Sequence, residues 1–211
     1  MAYADRPWLG QYAPGMPTDI EPQFASALEM FAAAASRAPD SPLVHYFGRS
    51  LSVAEVDRTS DALAAALAAL GVRRGDRVAL YLQNIPQFLV AVIATWKAGG
   101  IVVSINPMNK ARELTYVLED SGATVLVTLE SLFEEVARDV VAGGGSLRGV
   151  ITTNEGDYAA DMPTSLSTAR KSVPAGTHDF ADLVSRHEGE GVAEPNLGPD
   201  DVAFLTYTSG T

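Results

Sequence analysis

The chain has 211 residues, of which 47% are hydrophobic and 19% are charged, and it carries a formal net charge of -11 at pH 7 with no cysteine. This length and composition allow a sizeable core in one large domain, or in one domain and part of another. The absence of cysteine excludes disulfides, cysteine-ligated zinc and thiolate catalysis. The acidic balance argues against nucleic acid as a partner, because nucleic acid is bound mainly through lysine and arginine.

Neither a secretory signal nor a membrane span is predicted. The first twenty residues contain no apolar run behind a basic start. The most apolar stretch, 88–105, is interrupted by Lys97 and by two glycines. We therefore expect a cytoplasmic protein.

Residues 1–25 are predicted to form an extended amino-terminal arm. Three prolines and two glycines lie between residues 5 and 20, and they prevent a regular helix there.

An α/β region is predicted over residues 26–153, where helical patterns alternate with short apolar runs. Ser52 with Glu55, and Ser131 with Glu134, have the spacing of a capping box at a helix start. The alternation predicts a largely parallel sheet flanked by helices. The predicted helices are 26–38, 52–71, 86–97, 109–121 and one from 131 to the glycines at 143–145, and the predicted strands are 43–47, 77–82, 101–105, 124–128 and 150–153.

Residues 154–200 break this rhythm and are predicted to be an irregular connector with one short helix near 180–185. The part from Glu188 to Asp201 has acids and no bases, which is typical of a solvated segment.

Residues 201–211 are predicted to form a buried strand, 202–207, and the start of a loop. Because such a loop ordinarily leads into further structure, we expect the chain to be truncated there.

The loop at the end of the chain is the candidate binding site. Thr208, Ser209, Gly210 and Thr211 can place hydroxyls and backbone N–H groups around phosphate oxygens, and glycine allows close backbone approach. Taken alone, such a cluster is also typical of an ordinary turn.

Other polar residues give no site pattern. His45, His178 and His187 are scattered and lack metal-ligand spacing. Lys97 and Arg112 are candidate functional cations, although solvent exposure or a surface ion pair explains each more simply. We assign no catalytic residue and no metal ligand to the chain.

Several segments together resemble the adenylate-forming superfamily, which comprises acyl-CoA synthetases, peptide-synthetase adenylation domains and luciferases. The segment from Asp200 through Tyr207 to Thr211 resembles the opening of that family's signature loop. The arm at 6–17, with its tryptophan, tyrosine and prolines, is similar to the start of bacterial long-chain fatty acyl-CoA ligases. Further segments that resemble the family in order and spacing are 51–56, 70–79, 96–107, 112–114 and 120–123.

The resemblance implies the N-terminal part of the adenylate-forming fold in a long-chain fatty acid-CoA ligase. Such an enzyme joins a carboxylate to the α-phosphate of ATP with release of pyrophosphate, after which coenzyme A displaces AMP to give a thioester. Fatty acid, ATP, Mg²⁺ and coenzyme A are the implied substrates and cofactors, and Thr208, Ser209, Gly210 and Thr211 would hold the β- and γ-phosphates. The family's magnesium-binding glutamate, ribose-binding aspartate and functional lysines would lie after Thr211.

The chain alone is therefore expected to be inactive without a missing C-terminal half of the same enzyme. The resemblance also allows a homodimer and peripheral membrane association. Two alternatives stay open: an aryl or medium-chain acid-CoA ligase, and a non-catalytic binding or scaffolding module with the same fold.

Overall fold

The computed structural model describes residues 5–163 and 171–208. Its centre is a six-stranded sheet with the order β7-β6-β5-β3-β4-β8, in which every neighbouring pair is parallel. A separate antiparallel hairpin joins β1 and β2. The strands are β1 Pro42–Tyr46, β2 Arg49–Ser52, β3 Arg77–Tyr81, β4 Ile101–Ile105, β5 Val125–Leu129, β6 Gly149–Thr153, β7 His178–Asp179 and β8 Phe204–Thr206.

Helices lie between the successive strands β3 to β6 and between β7 and β8, which confirms the predicted α/β class. A π-helical turn, Phe133–Ala137, joins α5 to α6. Among the described residues, no helix has the length and apolar character required to cross a membrane. The helices are α1 Ala27–Arg37, α2 Val53–Ala69, α3 Pro86–Lys97, α4 Ala111–Ser121, α5 Glu130–Leu132, α6 Arg138–Ala142 and α7 Phe180–Arg186.

The arm contains one element that its prolines were expected to prevent. A 3-10 helix spans Pro7–Gln11, with Pro7 at its first position. Proline is tolerated there because its missing N–H would have had no partner inside the helix. An ion pair between Arg6 and Asp19 joins the two ends of this proline-rich segment, so the arm is not simply extended.

Helices cover both faces of the large sheet. Successive residues of a strand point to opposite faces. In β3, Val78 and Leu80 therefore pack in the core beneath α2, α3 and α7, whereas Ala79 and Tyr81 pack beneath α4 and the helical segment 130–142. Strand β5 is buried at every position, as expected for a strand covered on both sides.

One predicted capping box forms and the other does not. Ser52 Oγ accepts from the backbone of Glu55, and the Glu55 carboxylate accepts from the backbone of Ser52, so α2 begins as predicted. The prediction at Ser131 is wrong because the helix starts directly after β5, with Leu129 as its N-cap. Ser131 therefore lies inside the first turn, and Glu134 pairs with Arg138.

Candidate functional site

The end of β8 lies beside the end of β4. Their register pairs Val103 with Leu205 and Ser104 with Thr206, so Tyr207 and Thr208 leave the sheet at its carboxyl edge. In parallel α/β sheets, ligands bind at this edge. Thr208 is exposed there. The other three predicted binding residues, Ser209, Gly210 and Thr211, lie outside the described residues.

A cleft opens at this corner of the sheet. Its volume is about 650 Å³, which lies in the range of small-molecule sites. Its walls come from the end of β4, the loop that follows it, helix α4 and the residues after β8. The lining residues are Ser104, Ile105, Asn106, Asn109, Arg112, Glu113, Tyr116, Val117, Tyr207 and Thr208.

Tyr207 is held from two directions. Its hydroxyl donates a hydrogen bond of 2.6 Å to Oδ2 of Asp120 in the last turn of α4. Its ring meets the ring of Tyr116 edge to face, with 6.1 Å between centroids and an interplanar angle of 84°. Burial, followed by the hydrogen bond to Asp120, raises the pKa of Tyr207 from 10.0 to about 12. The phenol therefore stays a neutral donor across the physiological pH range.

Two hydrogen bonds also fix the loop between β4 and α4. Oδ1 of Asn106 accepts from the backbone N–H of Met108 at 2.9 Å, which closes a local turn. The hydroxyl of Tyr81, a fully buried residue of β3, donates to the carbonyl of Asn109 at 2.6 Å. Burial raises the pKa of this Tyr81 hydroxyl as well. The floor of the cleft is therefore tied to the centre of the sheet.

The two candidate cations differ in their surroundings. Lys97 donates to Oδ1 of Asp57 and to Oδ1 of Asp61, at 2.6 Å each, and its side chain is only 13% exposed. Lys97 thus joins α3 to α2 and is not free to bind a ligand. Arg112 is exposed on the cleft wall and has no ion pair within residues 5–163 and 171–208.

A second polar cluster lies at the carboxyl ends of β5 and β6, and the sequence did not predict it. The amide nitrogen of buried Gln87 donates to Thr153 Oγ1 and to the carbonyl of Asn154. The Asn154 amide in turn donates to buried Glu130. These bonds tie α3 to the two strand ends.

Lys171 lies beside this polar cluster and pairs with two carboxylates, those of Asp157 and Asp179. Burial lowers the pKa of Lys171, but the hydrogen bonds to Asp179 and Asp157 outweigh burial and raise it above the usual lysine value. None of the three histidines lines the cleft. His45 contacts Ser50, His187 contacts Glu190 and His178 lies in β7.

The cleft wall carries hydroxyl, amide and guanidinium donors, which are groups that bind phosphate oxygens, and also the carboxylate of Glu113. In the described part of the chain, no three histidine, cysteine or acidic residues cluster so as to hold a metal.

The parallel sheet, with helices on both faces and a cleft at its carboxyl edge, places the chain in the α/β class. The sequence model of the AMP-binding enzyme family matches residues 31–211. The chain belongs to this family, which confirms the resemblance seen in its sequence motifs.

Known proteins extend this comparison over most of the chain. A long-chain-fatty-acid--CoA ligase of Escherichia coli O157:H7 is 33% identical over 97% of this chain. The 4-coumarate--CoA ligase 1 of Oryza sativa subsp. japonica is 34% identical over 78% of it. The crystal structure of the anthranilate CoA ligase AuaEII superimposes over 92% of the chain with a TM-score of 0.74 at 20% identity, which shows a shared fold.

Each of these proteins is much longer than the region matched. The chain spans 38% of the length of the E. coli ligase and 27% of that of the rice ligase. It covers 34% of the AuaEII chain.

Proposed function

We propose that these 211 residues form the N-terminal part of an ATP-dependent long-chain fatty acid-CoA ligase. The observation that carries the proposal is the position of Tyr207 and Thr208, which leave the sheet at the cleft in a chain of the AMP-binding family. The E. coli ligase supports the long-chain assignment, because its similarity includes almost the whole chain.

In this proposal the end of the chain binds the nucleotide's phosphates. The hydroxyls of Thr208, Ser209 and Thr211 and the backbone N–H groups near Gly210 hold the β- and γ-phosphates, and these groups position the substrate without exchanging protons. Arg112 adds a positive charge to the cleft wall. When bound, ATP would supply the adenylyl group that activates the carboxylate, Mg²⁺ would offset the charge of the departing pyrophosphate, and coenzyme A would then displace AMP to take the acyl group.

We also propose a division of the chain into four functional parts. Residues 1–25 are the arm, 26–153 the α/β subdomain, 154–200 the connector and 201–211 the strand with the start of the phosphate loop. The catalytic groups and the Mg²⁺ ligands would be supplied by the remainder of a longer protein. The 211 residues alone should therefore be inactive.

The proposal is tested by palmitate-dependent exchange of pyrophosphate into ATP. The 211-residue chain and the protein encoded by a longer reading frame that contains it are purified and assayed. Exchange by the longer product alone is the expected result. Exchange by the 211-residue chain would contradict its inactivity, and no exchange by either with any acid would favour a non-catalytic module of this fold.

An aryl or medium-chain acid is the second candidate substrate. The similarity to the rice 4-coumarate ligase favours it, because the identity there is as high as that to the E. coli enzyme, although it extends over less of the chain. The same exchange assay with palmitate, octanoate and 4-coumarate distinguishes the candidates. The acid with the highest kcat/KM identifies the substrate class.

A further inference from the structure

Tyr81 carries a polar group into the buried core of the sheet. It is the last residue of β3, its side chain is fully buried, and it packs among the apolar residues beneath α4. A phenylalanine would fill nearly the same space. The hydroxyl therefore needs a reason of its own, since burying a hydroxyl is unfavourable unless it is hydrogen-bonded.

The partner of this hydroxyl lies in the loop between β4 and α4. The phenol donates to the carbonyl of Asn109 at 2.6 Å, and the bond joins residues 28 positions apart in the chain. Burial raises the pKa of Tyr81, so the phenol remains a donor at physiological pH. Lys110, the residue after Asn109, is the N-cap of α4. The bond thus connects the centre of the sheet to the point where α4 begins.

Helix α4 carries a cation at an electrostatically unfavourable place. Arg112 is its second residue, and the amino end of a helix has partial positive charge, which disfavours a cation there. The neighbouring acid, Glu113, accepts a hydrogen bond from the backbone N–H of Lys110, and in the described part of the chain no ion pair joins it to Arg112. Helix stability thus gives no reason for Arg112, whereas an anion in the cleft that it lines would. A residue that breaks a local rule is often placed there for function.

The connection from Tyr81 to Arg112 is short. Asn109 precedes Arg112 by less than one turn of helix. The backbone N–H of Asn109 also donates to the carbonyl of Asn106 at 2.9 Å, which closes the turn ahead of the helix. Without the Tyr81 bond, the carbonyl of Asn109 loses its tie to the sheet, and this turn can shift together with the start of α4.

We propose that Tyr81 is a positioning residue, which fixes the start of α4 so that Arg112 meets a phosphate of the substrate in the cleft. This inference deepens the proposed function and rests on it. Both ATP and coenzyme A carry phosphate, and the test below distinguishes them. Tyr81 itself does not contact the substrate. Its effect is on binding, because a cation that is already held in place loses less conformational freedom when phosphate binds.

The test uses the protein encoded by a longer reading frame that contains the chain, assayed for acyl-CoA formation with its preferred acid. Tyr81→Phe should raise the KM for ATP or for coenzyme A about fivefold, the effect of one lost hydrogen bond, with changes below about twofold in kcat and in the KM for the acid. Arg112→Ala should raise the same KM at least as much, because it removes the charge itself. The double variant should be no worse than Arg112→Ala, since Tyr81 acts through Arg112. Unchanged KM values for both ATP and coenzyme A in an active enzyme would overturn the positioning role.

Tyr46→Phe is the matched control. The hydroxyl of Tyr46 also donates to the backbone carbonyl of a distant residue, Glu155, at 3.0 Å, but Tyr46 lies in the β1–β2 hairpin and does not line the cleft. Its loss should lower the urea midpoint, as Tyr81→Phe does, and leave the three KM values unchanged. Equal rises in KM in the two tyrosine variants, or a matching rise in the KM for the acid, would show a general loosening of the fold and would contradict the proposal.

Two further readouts do not require turnover. The amides of residues 108–113 should exchange hydrogen faster in Tyr81→Phe than in wild type and Tyr46→Phe. Calorimetric titration with inorganic pyrophosphate should give weaker binding by Tyr81→Phe and Arg112→Ala than by wild type. If exchange in this segment or pyrophosphate binding is the same in all these proteins, Tyr81 does not position the cleft wall. Absence of acyl-CoA formation by the wild type, with both changes present, would instead sink only the proposed function.

Discussion

The guanidinium of Arg74 holds the carboxylate of Asp201 through two hydrogen bonds, of 2.9 and 2.7 Å, from one nitrogen. Its other terminal nitrogen donates to the carbonyls of Pro195 and Asn196. Arg74 lies in the turn before β3, whereas Pro195 and Asn196 lie in the connector and Asp201 directly follows it, before β8. The acidic segment that the sequence predicted to be merely solvated is thus bound at its end to the turn before β3 by one arginine.

Loss of this arginine should loosen β8. Arg74→Ala and Asp201→Ala are expected to lower the urea midpoint of the 211-residue chain slightly and to speed hydrogen exchange in 202–207. The change in midpoint should be small because exposed ion pairs contribute little. Arg58→Ala, which removes an exposed arginine from the middle of α2, should leave exchange in β8 unchanged. An equal effect of Arg58→Ala would show that net charge, and not this contact, is responsible.

The two capping-box sequences allow a matched comparison. Ser52→Ala should lower the free energy of unfolding by about 1 kcal/mol, because the backbone of Glu55 loses its hydrogen-bond acceptor. Ser131→Ala should change it by less than about 0.5 kcal/mol, because Ser131 does not cap its helix. Chemical denaturation of the three proteins measures both values. Equal losses would contradict the helix start at Glu130.

Gly100 lies where a side chain does not fit. A Cβ at this position would approach Thr95 Cγ2 to 3.0 Å and the backbone oxygen of Asp76 to 3.1 Å. Gly100→Ala should therefore destabilise the chain by about 1–3 kcal/mol through overpacking at the start of β4. Gly191→Ala, at a position with no atom within 4 Å of the added carbon, is the control and should unfold like the wild type. A tolerated Gly100→Ala would mean that the turn between α3 and β4 shifts readily.

The raised pKa of Tyr207 predicts a pH dependence with a definite sign. The protonated phenol is favoured in the folded state, so its contribution to stability is complete below about pH 10 and is lost as pH rises toward about 12. The difference in unfolding midpoint between wild type and Tyr207→Phe should shrink over this interval. Tyr12→Phe, in the arm, serves as the matched removal of an exposed hydroxyl. A Tyr207→Phe difference that stays constant across the interval would show that the Asp120 contact is not formed in solution.

Local patterns predicted the large elements because their signals lie within the elements themselves. The apolar run 77–82 and the capping box at Ser52 needed no distant partner to be recognised. Strands β2 and β7 were missed, since they have four and two residues and depend on pairing with neighbours. The helix start predicted at Ser131 was wrong because the capping spacing does not reveal whether a loop separates the strand from the helix.

The candidate site was predictable only in part, for a similar reason. Thr208 belongs to a recognisable hydroxyl-rich segment, but no spacing rule joins it to Asn106, Tyr116 or Asp120. Asn106 and Tyr116 line the cleft with Thr208, and Asp120 contacts Tyr207, because β8 pairs with β4, which is a contact between distant parts of the chain. A side-chain cluster formed by such pairing leaves no local signal in the sequence.

The pairing of β8 with β4 has a consequence for the order of folding. Strands β3 to β6 follow one another through local crossovers, whereas β8 joins β4 only after a span of roughly a hundred residues, and long loops close late and at greater entropic cost. The chain leaving the ribosome can therefore complete most of its sheet before the cleft beside β4 has its second wall. Phosphate binding at that wall would stabilise the last contact to form, so the ligand would favour completion of folding and have little influence on its start.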